Sequence, residues 1–331
     1  MSISNLDELR DHLQTAVEVE WSTIPPYLCA LWSIEEGTNV EASEAIEDVV
    51  MEEMLHLTLA ANVLNALGGS PQLVPPRGKP PTYPTFLPHS ADTFEVSLRR
   101  FSRDALHTFM AIEHPAHRSA PPEPERYHTI AQFYEAILQA IDDLCRDPPV
   151  WTGDPAFQVG PGTYYYGGGG DAVVVTDLAS AADALDVIVN EGEGMPGSIF
   201  EDDVLPEELA HYFRFEELSC GRRYVRGDTP SSGPTGPPIL LDYDSVLPMG
   251  PNPKASDHPP GSELREAIEE CDATYTGMVS TLHDALNGTP ELLLDGVQTM
   301  YRLRAQAVAL MHVPVGEDGT TAGPPFEWRG R

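Results

Sequence analysis

Apolar residues recur at steps of three and four along much of the chain, the period of an α-helix. Leu6, Leu9, Leu13, Ala16, Tyr27, Leu31 and Ile34 mark a helix over 6–36. Pro25 and Pro26 fall inside it and predict a kink or interruption, because proline lacks the N–H and its ring crowds the carbonyl four residues back. Ala42, Ile46, Val49, Ala60, Val63 and Leu67 mark a second helix over 41–67, ended by Gly68 and Gly69. Shorter patterns predict helices near 102–113 and 128–146, the latter on the stripe Ile130, Phe133, Ile137 and Ile141. Others follow near 178–193, 204–221, 262–288 and 290–313. Prolines crowd residues 70–100, which predicts a long extended loop of the kind that often serves function. Residues 147–176 carry Tyr164 to Tyr166, Gly167 to Gly170 and Val173 to Val175, the composition of a small β-hairpin or a glycine-rich turn. The expected fold is therefore mainly α, one domain over 1–331. A bundle of the helices 6–36, 41–67, 178–193 and 204–221 carries inserted helices and loops over 70–176 and a C-terminal helical extension over 226–331.

Three of the stripes are broken by the same residue types. An unpaired carboxylate is costly to bury, so a core stripe should stay apolar. Yet Leu9, Leu13 and Ala16 lead on to Glu20, Ile46 and Val49 lead to Glu53 and His56, and Val204 leads to Glu208 and His211. Glu53-Met54-Leu55-His56 and Glu208-Leu209-Ala210-His211 are both Glu-x-x-His, which on a helix sets a carboxylate and an imidazole on one face. Two such motifs, with one Glu from each of two further helices, form the ligand set of di-iron and di-manganese carboxylate bundles. Glu20 supplies one of the single acids. The other lies in Asn190-Glu191-Gly192-Glu193-Gly194, where the stripes leave Glu191 and Glu193 both open and the flanking glycines favour Glu193. The candidate metal ligands are Glu20, Glu53, His56, Glu193, Glu208 and His211. A third Glu-x-x-His, Glu125 to His128, follows Pro121, Pro122 and Pro124 and lies off its stripe, so it is expected to be ordinary. Glu18, Glu35, Glu36 and Glu52 are also off-stripe and expected to be surface charges, and the remaining histidines to be ordinary.

Charge narrows the partners. With 19 basic and 52 acidic residues, the net charge of −33 repels phosphate backbones, so nucleic acid is excluded as a partner. No run of 18 apolar residues predicts a membrane span, and the amphipathic, acidic N-terminus lacks the pattern of a signal peptide. The 4 cysteines form no C-x-x-C pair and are expected as reduced, mostly buried thiols in the cytoplasm.

The segments Val19 to Leu28, Glu52 to His56, Glu191 to Gly194, Glu208 to Phe215 and Ala322 to Glu327 together resemble the ferritin-like family of iminophenyl-pyruvate dimer synthases, over nearly the whole chain. Trp21 stands where the family pattern carries a His. The family keeps the Glu of Gly-Glu-Gly, which supports Glu193 over Glu191. The resemblance implies an oxidoreductase that uses two divalent ions, iron above all, with O2 or peroxide to oxidise or couple a small aromatic or amino-acid-derived imine in secondary metabolism. Haem is associated with some family members. This chain has no C-x-x-C-H attachment motif, although an unattached haem would leave none. Homo-oligomerisation and a pathway enzyme as partner stay open. The alternative is a non-catalytic metal-binding or scaffold protein; the extra segments 97–176 and 225–331 do not suit a storage cage. The loops 70–100 and 167–170 are the candidate pocket mouth.

Overall fold

The computed structural model describes residues 2–330 apart from 118, 147–149, 164–169, 193–198 and 200–208. Helix α1 spans Leu6–Ser33 and is capped by Asn5, whose side chain accepts the N–H groups of Asp7 and Glu8. Of the kink or interruption expected at Pro25 and Pro26, the interruption does not occur. The carbonyl of Ser22, left without its helical donor by Pro26, accepts the hydroxyl of Tyr83 at 2.8 Å. The extended loop 70–100 thus mends the hydrogen bond that proline removes. Helix α2, Val40–Ala66, lies along α1.

Around one face of this pair stand α3 (Arg103–Ile112), α4 (Ile130–Leu144), α5 (Leu178–Gly192) and α6 (His211–Cys220). Helices α3 and α4, expected as insertions, pack on α1, and α3 also pairs with α6. Helix α6 starts later than the expected 204. Ala210 precedes it with φ −57° and ψ 153°, which is not helical, and the expected Glu208 lies outside the described residues. Helices α7 (Glu263–Ala285) and α8 (Leu293–Met311) pair with each other, and α8 packs on α1. The described residues thus hold eight α-helices and only isolated β-bridges. Among them no helix is long and apolar enough to cross a membrane. Of the four cysteines, all free, Cys29, Cys145 and Cys271 are buried and Cys220 is exposed.

The expected β-hairpin falls partly on residues outside those described. Its described flank, 170–176, has no strand. Side-chain amides use its backbone groups instead. Asn62 Nδ2 donates to the carbonyls of Val159 and Val173, and the Gln158 amide exchanges two hydrogen bonds with the backbone of Val175.

The C-terminal tail is tied to α7 by one buried acid. Asp272 accepts the Glu327 N–H at 2.9 Å and the Arg329 guanidinium at 3.0 Å. Burial pushes Asp272 up from 3.8 to about 6, against the pull of these two donors. A carboxyl whose folded pKa is raised favours the fold while protonated. That contribution is complete below its unfolded pKa and is lost as pH rises through about 6. The shift corresponds to at most about 3 kcal/mol. Relative to wild type, the Asp272→Asn variant is therefore expected to gain up to about 3 kcal/mol of unfolding free energy between pH 4 and pH 7. Urea melts at the two pH values check this, and a difference independent of pH would contradict it.

Candidate metal centre

The acids that break the stripes meet in the interior. Glu20 from α1 and Glu53 and His56 from α2 are all buried, as are His211 at the first turn of α6 and Glu113 at the C-terminal end of α3. They form two trios that share Glu53. Glu20, Glu53 and His56 make one; Glu53, Glu113 and His211 make the other, and within each the ligand atoms lie within 4.8 Å of one another. Glu53 Oε1 faces both imidazoles, at 3.6 Å from His56 Nδ1 and 3.1 Å from His211 Nδ1. Glu20 Oε2 lies 3.7 Å from His56 Nδ1, and Glu113 Oε2 lies 3.6 Å from His211 Nδ1. The two rings stack with centroids 5.4 Å apart.

Each imidazole is oriented by a second carboxylate on its outer nitrogen. His56 Nε2–H donates to Glu191 at 2.9 Å, and His211 Nε2–H donates to Glu52 at 2.8 Å. Arg214 also binds Glu52. This orients both rings so that each Nδ1 faces the shared acid, as at histidine–metal sites. The inner carboxylates are held too. Tyr134 donates to Glu20, Tyr27 donates to Glu113, and Thr23 donates to Glu53 at 2.5 Å. Burial, with the neighbouring carboxylates, pushes both phenols well up, so they stay protonated and act as donors.

The residues fit a pair of divalent cations on two grounds. His211 Nδ1 is buried and makes no hydrogen bond to a described residue, although Glu53 and Glu113 face it. The electrostatics point the same way. Burial pushes Glu20 up to about 7, and the charge of Glu53 adds to this. Burial alone would also raise Glu53 and lower both imidazoles, but the two imidazoles hold Glu53 below the usual range. Glu191, Glu20 and Glu53 hold His56 well above its usual value, and Glu113, Glu52 and Glu53 do so for His211. The cluster therefore seeks positive charge. With both imidazoles neutral, the described acids Glu20, Glu52, Glu53, Glu113 and Glu191 against Arg214 leave a charge of minus four, which divalent ions would offset.

Four expected ligands, Glu20, Glu53, His56 and His211, come together. Glu193 and Glu208 lie outside the described residues. Glu191, the alternative to Glu193, sits on the outer nitrogen of His56. Glu52, expected at the surface, is only 13% exposed and orients His211 instead. Glu113 was missed, although Leu106, Phe109 and Glu113 keep the helical steps of three and four. It follows the last residue of a short helix, where a stripe is hard to extend. The third Glu-x-x-His is ordinary: His128 is 62% exposed and pairs with Glu123 at 2.7 Å, not with Glu125. Trp21 points away from the cluster and donates to Tyr275 at 3.1 Å.

The sequence profile named Ferritin-like matches residues 13–220, which span α1 to α6. The chain belongs to the ferritin-like family. A ferritin-like protein from Caulobacter vibrioides shares the fold, with a TM-score of 0.65 and 21% identity over 97% of this chain and 99% of that one. Among curated proteins, this ferritin-like chain is similar to dichlorochromopyrrolate synthase of Lentzea aerocolonigenes, 24% identical over 88% of the chain and 30% of the relative. It is also similar to 2-imino-3-(indol-3-yl)propanoate dimerase of Chromobacterium violaceum, 27% identical over 85% of the chain and 27% of the relative. The chain thus spans less than a third of the length of these two relatives.

Proposed function

We propose that this ferritin-like chain is a metal-dependent oxidoreductase. It holds two divalent ions, iron in the first instance, and uses O2 or peroxide to oxidise or couple a small aromatic or amino-acid-derived imine. The observation that carries the proposal is Glu53, a single buried carboxylate on which the Nδ1 atoms of two imidazoles converge. Glu20, Glu53 and His56 would hold one ion and Glu53, Glu113 and His211 the other. Glu193 and Glu208 are candidates to complete the coordination. When bound, the ions supply the change of oxidation state that the reaction needs. Support for an imine as substrate comes from the dimerase, whose name specifies an indolyl imine.

The chain's own residues do the rest. Glu52 and Glu191 aim the imidazoles, and Tyr27 and Tyr134 hold the outer carboxylates in place. A narrow crevice between α4 and α5, bounded by Ile130, Tyr134, Ile188 and Gly192, leads to Glu20 and Glu113. Its volume of about 10 Å³ is about that of one water molecule. It suits a small oxidant and keeps bulk water from the carboxylates.

His56→Ala and His211→Ala are each expected to lower iron content to about one ion per chain or less, and His128→Ala to leave it unchanged. Elemental analysis of tag-free protein measures this, and equal loss in all three would contradict the ligand set. The function itself is tested with iron-loaded protein, an oxygen electrode and the imine formed from indole-3-pyruvate and ammonia. Oxygen uptake that depends on the imine, and is lost in Glu53→Ala, is the expected result. A fully loaded protein that consumes no oxygen with such imines would favour the non-catalytic metal-binding alternative.

A further inference from the structure

An apolar cavity lies on the opposite face of α1 and α2 from the acids. Trp21 and Met54, each next in sequence to a candidate ligand, point into it, and α7, α8 and the C-terminal tail close it with Tyr275, Met278, Met300 and Phe326. Its volume is about 90 Å³. The Trp21 N–H is spent on the Tyr275 oxygen, which leaves the Tyr275 O–H as the polar group of its aromatic walls. The Thr58 hydroxyl donates to its own helix at the carbonyl of Met54. The interior therefore favours a mostly apolar body. Flexible methionines facing aromatic rings suit an aromatic body, since thioethers adapt their shape and pack well on ring edges.

A second lobe of about 100 Å³ borders this cavity, with Leu28, Met54 and Met300 lining both. At this outer lobe the lining turns polar, with Glu47 on α2 and Arg304 on α8. Both are exposed, and neither makes an ion pair or hydrogen bond with a described residue. A head with a single charge would meet one favourable and one unfavourable partner there. A head carrying both signs would satisfy both.

We propose that this two-lobed slot is a binding site for an amino acid with an aromatic side chain. The ring enters between Met54, Met300 and the aromatic wall, the carboxylate meets Arg304, and the ammonium meets Glu47. The site is separate from the candidate metal centre and does not depend on it.

Calorimetric titration of the metal-free chain tests this with three related probes. L-phenylalanine carries both charges, 3-phenylpropionate only the anion, and 2-phenylethylamine only the cation. Saturable binding of one L-phenylalanine per chain is expected, with each analogue at least about 10-fold weaker. Arg304→Glu and Glu47→Lys should each weaken it about 10-fold, and the double charge swap should recover part of the loss. Met300→Trp, which fills the junction of the lobes, should abolish it while circular dichroism stays unchanged. If that variant misfolds, the charge-swap series still decides. No saturable binding, equal binding of the analogues, or no recovery in the double swap would overturn the proposal. Because metal-free protein is used, that failure would leave the metal-centre proposal standing.

Discussion

Replacing Glu53 by Ala is expected to empty both metal positions at once. Iron content should fall from about two ions per chain to below about 0.2, and imine-dependent oxygen uptake by at least about 10³-fold. The expectation follows from its place. Glu53 Oε1 is 3.6 Å from His56 Nδ1 and 3.1 Å from His211 Nδ1, so it belongs to both trios. Its loss also leaves the two imidazoles facing each other across 5.4 Å without the acid between them. Elemental analysis with circular dichroism as a fold control measures the effect. Glu125→Ala, which alters an exposed acid on a loop, should change neither quantity. A Glu53→Ala protein that keeps one full equivalent of iron would show that the trios are independent.

Glu113→Ala is expected to remove one ion and keep the other. Glu113 belongs only to the His211 trio. Glu20 and His56 lie on the far side of Glu53 and retain their own partners, Tyr134 and Glu191. Iron should settle near one ion per chain, with the affinity of the lost position down at least about 100-fold. Tyr27→Phe deletes only the hydroxyl that donates to Glu113. It should weaken the same position by about 10-fold. Two titration steps in wild type, of which Glu113→Ala loses one, would support this. Loss of both ions in Glu113→Ala would place that acid at the shared position instead.

Most of the fold could be read from apolar periodicity. Both long helices begin and end within three residues of their expected limits. The site could be read in part, for the same reason: Glu20, Glu53, His56 and His211 stand in stripes where Leu would pack. What escaped was tertiary in origin. Whether Pro26 breaks α1 depends on Tyr83, a residue 57 positions later, reaching back to the Ser22 carbonyl. Glu52 lies off the buried stripe of its own helix, so only the arrival of His211 and Arg214 gives it an orienting role. Glu113 kept the spacing rule, but it ends a ten-residue helix and no second acid–imidazole pair marked it. The hairpin expected from valines and glycines is absent from the described flank because Asn62 and Gln158 use the backbone groups that a partner strand would need.

X-ray absorption at the iron edge of the reconstituted protein gives the most direct test of a shared dinuclear site. Two irons held by Glu53 should show an iron–iron distance of about 3–4 Å, with on average one imidazole nitrogen per iron in a shell otherwise of oxygen. In Glu113→Ala the iron–iron signal should vanish while the nitrogen shell of the remaining iron persists. A wild-type spectrum with no iron neighbour at full loading, or with no imidazole in the shell, would contradict the assignment of Glu20, Glu53, His56, Glu113 and His211 to one metal centre.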